Sequence, residues 1–261
     1  MKYATWFSIT FIAILVVRLP FMHVHYIPHY VPFEPWVAII PLAGLLWGMA
    51  GALSCATAVL AGDAMAGMWG SMSIYRALAS LLLALNARHL SSCFGGIFMK
   101  PDIQLSFADA LRFILISVPG CFAAAACVGL GAEWHRLYPF PYVATITLMN
   151  HLVFLTVFGV VLIKVVVPRT VLFLGMLPVT GQADGPGSGN IILIIGAAGS
   201  YFGGLMISRA YDMNAFTPVV IGTYGGGWVV TVVALFILIH IAILFGALRW
   251  VLRLRARDNP R

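Results

Sequence analysis

Residues 36–68 read WVAIIPLAGLLWGMAGALSCATAVLAGDAMAGM, 33 positions with a single charge at Asp63. A membrane-spanning helix needs about 20 apolar residues, so this run is too long for one ordinary span and short for two. Gly44, Gly48 and Gly51 offer a break near Trp47-Gly48, because glycine forms helix poorly and permits tight turns. The run is therefore read as two segments, the first of them short or re-entrant.

The rest of the chain has the same character. Of its 261 residues, 62% are hydrophobic and 9% charged, whereas soluble domains average about 45–50% and about 25%. Eight acids and fifteen bases cannot coat a soluble globule of this length. This excludes a secreted disulfide scaffold, a cytosolic enzyme and a nucleic-acid-binding domain. Cys55, Cys93, Cys121 and Cys127 lack CxxC spacing and read as small core residues. Further apolar spans are 4–19, 71–88, 107–130, 141–167, 190–207 and 229–249. With 36–68 as one span there are seven segments and the N-terminus is outside. With two there are eight, and Lys2, Arg88–Lys100, Lys164–Arg169 and the basic tail all fall on the cytoplasmic side. The expected fold is an all-α polytopic transmembrane bundle of eight segments in a bacterial-type inner membrane. Residues 1–169 form a six-segment unit, 170–189 a Gly/Pro-rich linker, and 190–249 a two-helix unit. The tail, 250–261, is cytoplasmic. Five of the fifteen bases lie in the last thirteen residues, a topology signal and a contact for anionic lipids.

Within 36–68, small residues recur four apart: Gly44 and Gly48, then Ser54, Ala58 and Gly62. Such a stripe lets helices approach closely in lipid, so this segment is expected at the centre of the bundle. Asp63 follows fifteen uncharged positions. An ionisable group at membrane depth costs about 2.5–3.5 kcal/mol on insertion scales, so it faces a cavity or a partner. Arg76, early in the next helix, is the expected partner.

Phe33–Leu90, with Gly44, Gly48, Gly51, Ala52, Gly62 and Asp63 in a Gly/Ala-rich helix that closes on Gly-Asp, resembles the membrane-embedded substrate-binding subunits (S-components) of energy-coupling factor transporters. The resemblance is close over about sixty residues and extends by helix count to 1–169. It implies a six-helix unit that captures a small molecule from the outer face, with the loop 20–36 as its cap. It also implies a membrane coupling subunit as partner. The first helix, ATWFSITFIAILVV at 4–17, lacks the alanine-based docking motif of that family, and two extra helices follow. This fits a solitary or differently coupled relative.

The expected solute contacts are Asp63, Arg76, Asn86, Asn150, His151 and Trp36, with Arg112 as a further polar group of the bundle. His23, His25 and His29 form the one dense histidine cluster. They read either as part of an aromatic–histidine belt at the outer interface or as ligands for a transition metal. His151 and His240 stand on different helices; each reads as a cross-helix hydrogen-bond group, with opposed haem ligands as the alternative. No cofactor is otherwise implied. G-x-S-x-G, HExxH, phosphate loops and paired carboxylates are absent, so enzyme chemistry is not expected. The competing function is a membrane scaffold or sensor subunit that binds another membrane protein through the two C-terminal helices and the basic tail.

Overall fold

The computed structural model describes residues 2–27, 31–93, 107–166 and 188–211. The helix α1 (Lys2–Arg18) ends in a 3-10 turn, Leu19–Phe21. A short antiparallel hairpin follows, β1 (His25–Ile27) with β2 (Val31–Pro32), then a second 3-10 turn at Pro35–Ala38. Helices α2 (Ile39–Trp47), α3 (Met49–Met65), α4 (Ser71–Cys93), α5 (Phe107–Trp134) and α6 (Phe140–Phe154) come next. α6 runs on through π-helical turns at Leu155–Gly159 and Leu162–Val166. The last described element is α7 (Ser188–Tyr211).

The described chain is thus mostly helical. Three stretches are long and apolar enough to cross a membrane: Tyr3–Phe21, Phe107–Trp134 and Phe140–Val165. Large apolar side chains also cover the outside, among them Ile12, Val16, Leu115, Met149, Val157 and Ile195. A water-facing surface would carry charges there, and a lipid-facing one does not need them. The span at 71–88 is different from expectation: α4 has 23 residues but is less apolar, carrying Arg76, Asn86, Arg88 and His89. The segment 229–249 and the basic tail lie outside the described residues, as does the linker up to Gly187.

The break in 36–68 is at Gly48, whose φ of 61° and ψ of −129° stop α2 before α3 begins. A side chain is strained in that backbone region. A Cβ at Gly48 would also strike the Arg88 guanidinium of α4. Gly44 lies against the backbone of Ala84, so α2 runs beside the second half of α4. Trp6 of α1 stacks on Trp47 with centroids 5.0 Å apart, and Ser54 Oγ donates to the Phe7 carbonyl at 2.6 Å. The start of α1, the Gly48 turn and the later half of α4 therefore share one end of the bundle.

The centre is not where the small-residue stripe suggested. Ser54, Ala58 and Gly62 pack α3 against α1, but Leu53 and Met65 on its other side are exposed. The central helix is α5, buried from Ile116 to Glu133 with only Val118 and Phe122 partly exposed, whereas α3 exposes Leu53, Ala64 and Met65. Its run Ala123–Gly131 is closed in by α4, α6 and α7, with Gly129 against Ala144 and Phe140 and Gly131 against Tyr75. α7 packs directly on this unit, through Phe122 against Tyr201 and a 3.2 Å hydroxyl pair between Thr145 and Tyr201.

Candidate functional site

At the end of the bundle opposite Gly48, Asp63 sits in the last turns of α3 and is wholly buried. Its Oδ2 accepts from Arg76 Nε at 3.0 Å and Nη2 at 2.7 Å, so the expected pair is present. Its Oδ1 accepts from Arg18 Nη2. Arg18 was not anticipated. It lies at the C-terminus of α1 and crosses α3 at Gly62, where a Cβ would collide with its Nη1, Cδ and Cζ. Its Nη1 donates to the Val59 carbonyl at 2.8 Å, and its guanidinium carbon lies 4.9 Å from the centroid of Trp36. Gly62 is therefore small to let an arginine pass. Buried charges of this kind are retained only when paired and hydrogen-bonded.

Trp36 belongs to the loop after α1, and that loop does more than cap the bundle. Val24 and Tyr26 of the hairpin are exposed, but Val31, Pro32 and Glu34–Ala38 are buried. The backbone re-enters the bundle between α1 and α6 and continues as α2. Irregular backbone at membrane depth is tolerated where protein buries it or where it lines a water-filled cavity. Here the loop is held by α6: Asn150 Nδ2 donates to the Pro32 carbonyl at 3.3 Å, and His151 Nε2 lies 3.0 Å from Glu34 Oε2. Phe33 meets the edge of Phe154, centroids 4.6 Å apart. Trp36 is thus an interior residue. Its ring lies under a guanidinium, which gives it a cation–π partner.

The result is one buried polar seam. It runs from His151 on α6 through Glu34 and Trp36 of the loop to Arg18, Asp63 and Arg76. Four of the six expected solute contacts, Asp63, Arg76, Trp36 and His151, stand in the seam, and Asn150 adjoins it. Asn86 is buried on α4 and donates to the Leu82 carbonyl at 2.8 Å. Arg112 does not join them; it is half-exposed and lies 3.5 Å from Asp109, one turn away on α5. A carboxylate of Glu133 holds the start of α6 by accepting from the Phe140 N–H at 2.6 Å, which fixes the register of the seam's far wall.

Three polar atoms on α6 are buried with no hydrogen-bond partner among the described residues: Thr147 Oγ1, Asn150 Oδ1 and His151 Nδ1. Their i, i+3, i+4 spacing puts them on one face. Directly beyond them the helix widens into its π turns, a departure often found at functional sites. Thr147 was invisible in the sequence, where one threonine in a span carries no signal. Glu34 had one: it is the single acid in the loop.

Of the histidine cluster, His29 lies outside the described residues, as does His240. His23 is exposed, and His25 Nε2 lies 2.8 Å from Met68 Sδ. Among the described residues no three His, Cys, Asp or Glu side chains come together as a metal site. No protein-family model matches the chain, and comparison with the curated proteins and with the solved structures gives no match either.

Proposed function

We propose that this chain is an integral membrane solute-binding protein of S-component type, which captures a small molecule at the buried face of α6 behind the re-entrant loop. The observation that carries this reading is the set of unpartnered atoms on Thr147, Asn150 and His151. Leaving a buried donor or acceptor unmade costs about 1–3 kcal/mol, and three on one helix face are a standing cost that a ligand would remove. Ionisable groups at membrane depth point the same way, since they mark solute pathways and binding cavities. In the proposal the Arg18–Asp63–Arg76 cluster and Trp36 form the wall that holds the loop, and Asn150 and His151 touch the solute. The protein is multi-pass in a bacterial-type inner membrane, with both termini cytoplasmic and the Asp63 end outward. A coupling subunit is its expected membrane partner, and the basic tail contacts anionic lipid.

Native mass spectrometry of protein purified from its own host tests the reading, because it detects retained small molecules and retained subunits together. A stoichiometric small molecule, lost in Asn150→Leu, is the expected result. A bare chain that no small molecule stabilises against heat would remove the proposal.

A further inference from the structure

His25 and Met68 stand 43 positions apart, and the fold brings their side chains together at the Asp63 end of the bundle, with Nε2 2.8 Å from Sδ. That distance is usual for an N–H on an oxygen, yet sulfur is larger and accepts only weakly. Both residues are braced. Met68 follows Gly67 in the turn after α3; its N–H donates to the Asp63 carbonyl at 2.8 Å, and its own carbonyl accepts from Ser73 Oγ at 3.3 Å. Its side chain is 7% exposed. His25 opens β1, opposite Pro32 of β2. Two neutral lone-pair donors, an imidazole and a thioether, are thus presented to each other by two separately held elements.

We propose that His25 Nε2 and Met68 Sδ form a site for a soft monovalent metal ion, copper(I) or its analogue silver(I). Three histidines alone would suit a borderline divalent ion; the thioether changes the class. Thioether and imidazole suit copper(I), whereas magnesium and calcium take oxygen donors. Charge argues the same way. Both donors are neutral, and Asp63, whose carbonyl holds Met68 in place, already has two guanidinium groups on its carboxylate, so it does not offset a second positive charge. The His25 ring is partly exposed and exchanges its proton with water, so Nε2 presents a lone pair once a cation arrives. With bonds of about 2.0 Å to nitrogen and about 2.3 Å to sulfur, a metal between atoms 2.8 Å apart would be bent to about 80°, and a trigonal angle needs about 1 Å more separation. The first strand can give that much: Val24 and Tyr26 on either side of His25 are exposed, and the hairpin is anchored further along, at Pro32 and Glu34. The site stands apart from the α6 face and does not depend on solute capture.

The test uses the full chain in detergent, without a histidine tag. It is titrated anaerobically with copper(I) against the chelator bicinchoninate, and with silver(I) while thermal unfolding is followed. The expected result is a single equivalent of copper(I) held against the chelator and a saturable rise in unfolding temperature with silver(I). His25→Ala and Met68→Leu should each weaken that equivalent by about tenfold or more, since even the loss of an outer-shell partner costs a metal site that much. Met68→Leu conserves side-chain volume, so its metal-free unfolding should stay close to that of the parent. Both variants keep Cys55, Cys93, Cys121 and Cys127, so metal held by thiols is the same in each. Zinc(II) and nickel(II) at equal concentration should not displace copper(I). No copper(I) held against the chelator, equal affinity in the parent and Met68→Leu, or displacement by zinc(II) would each overturn the site. Loss in His23→Ala, His25→Ala and His29→Ala with none in Met68→Leu would return the ion to the histidine cluster and overturn it as well.

Discussion

Asp63 has two buried cations on its two oxygens, and this asymmetry sets the expected mutational order. Asp63→Asn strands both guanidinium groups, and breaking a buried pair by removing one partner costs about 3–5 kcal/mol. Arg18→Gln or Arg76→Gln leaves the carboxylate with one partner and should cost less than Asp63→Asn. Unfolding in detergent orders the three; a loss under about 1 kcal/mol for Asp63→Asn would mean that the cluster is wet and the seam is not sealed. Gly62 gives an independent check. By helix propensity alone Gly→Ala should stabilise by about 1 kcal/mol. Here the new Cβ would lie 2.5–2.8 Å from three atoms of Arg18, a side chain pinned by Asp63 and Val59. Gly62→Ala should therefore destabilise, and Arg18→Ala in the same chain should recover part of that loss. An additive cycle would mean that the two do not touch.

The turn between α2 and α3 and the turn after α3 both use a glycine with positive φ, 61° at Gly48 and 67° at Gly67. They differ in surroundings. A Cβ at Gly67 meets nothing within 4 Å, whereas one at Gly48 meets the Arg88 side chain. Gly67→Ala should then report a backbone cost alone, about 1–2 kcal/mol, and Gly48→Ala a larger backbone cost, because its ψ of −129° lies outside the left-handed helical well, plus a displaced arginine. Thermal unfolding of the two variants side by side measures the difference. An equal loss for Gly48→Ala with and without Arg88→Ala would show that Arg88 swings away freely and does not tie α4 to the turn.

The path of the chain through the bundle sets its sidedness. Trp6 on Trp47 and Ser54 on Phe7 place the start of α1 at the same end as Gly48 and Arg88. Ala84 stands thirteen residues after Ser71, about 20 Å along α4 at 1.5 Å per residue. The loop therefore returns most of the way through the bundle before α3 rises again. Reporter fusions at residue 1 and in the turn after α4 should fall on the same side of the membrane. Opposite sides would mean that α2 and α3 act as one span and that the loop does not re-enter.

Composition already settled that this is a helical membrane protein, because transfer of apolar side chains from water is nearly additive along a chain and needs no knowledge of neighbours. The break at Gly48 was also legible, since it depends on one residue's own backbone freedom. So was the Asp63–Arg76 pair, which spans one turn and thirteen positions. Two things were not legible. Arg18 meets Asp63 across 45 positions, and His151 meets Glu34 across 117. Small residues in α3 and α5 look alike in sequence, and which of the two is central depends on what surrounds each. Contacts between distant segments are chosen by the packing of all helices together, so the docking of Val31–Ala38 on α6, the second arginine and the place of Thr147 were decided only when the bundle closed.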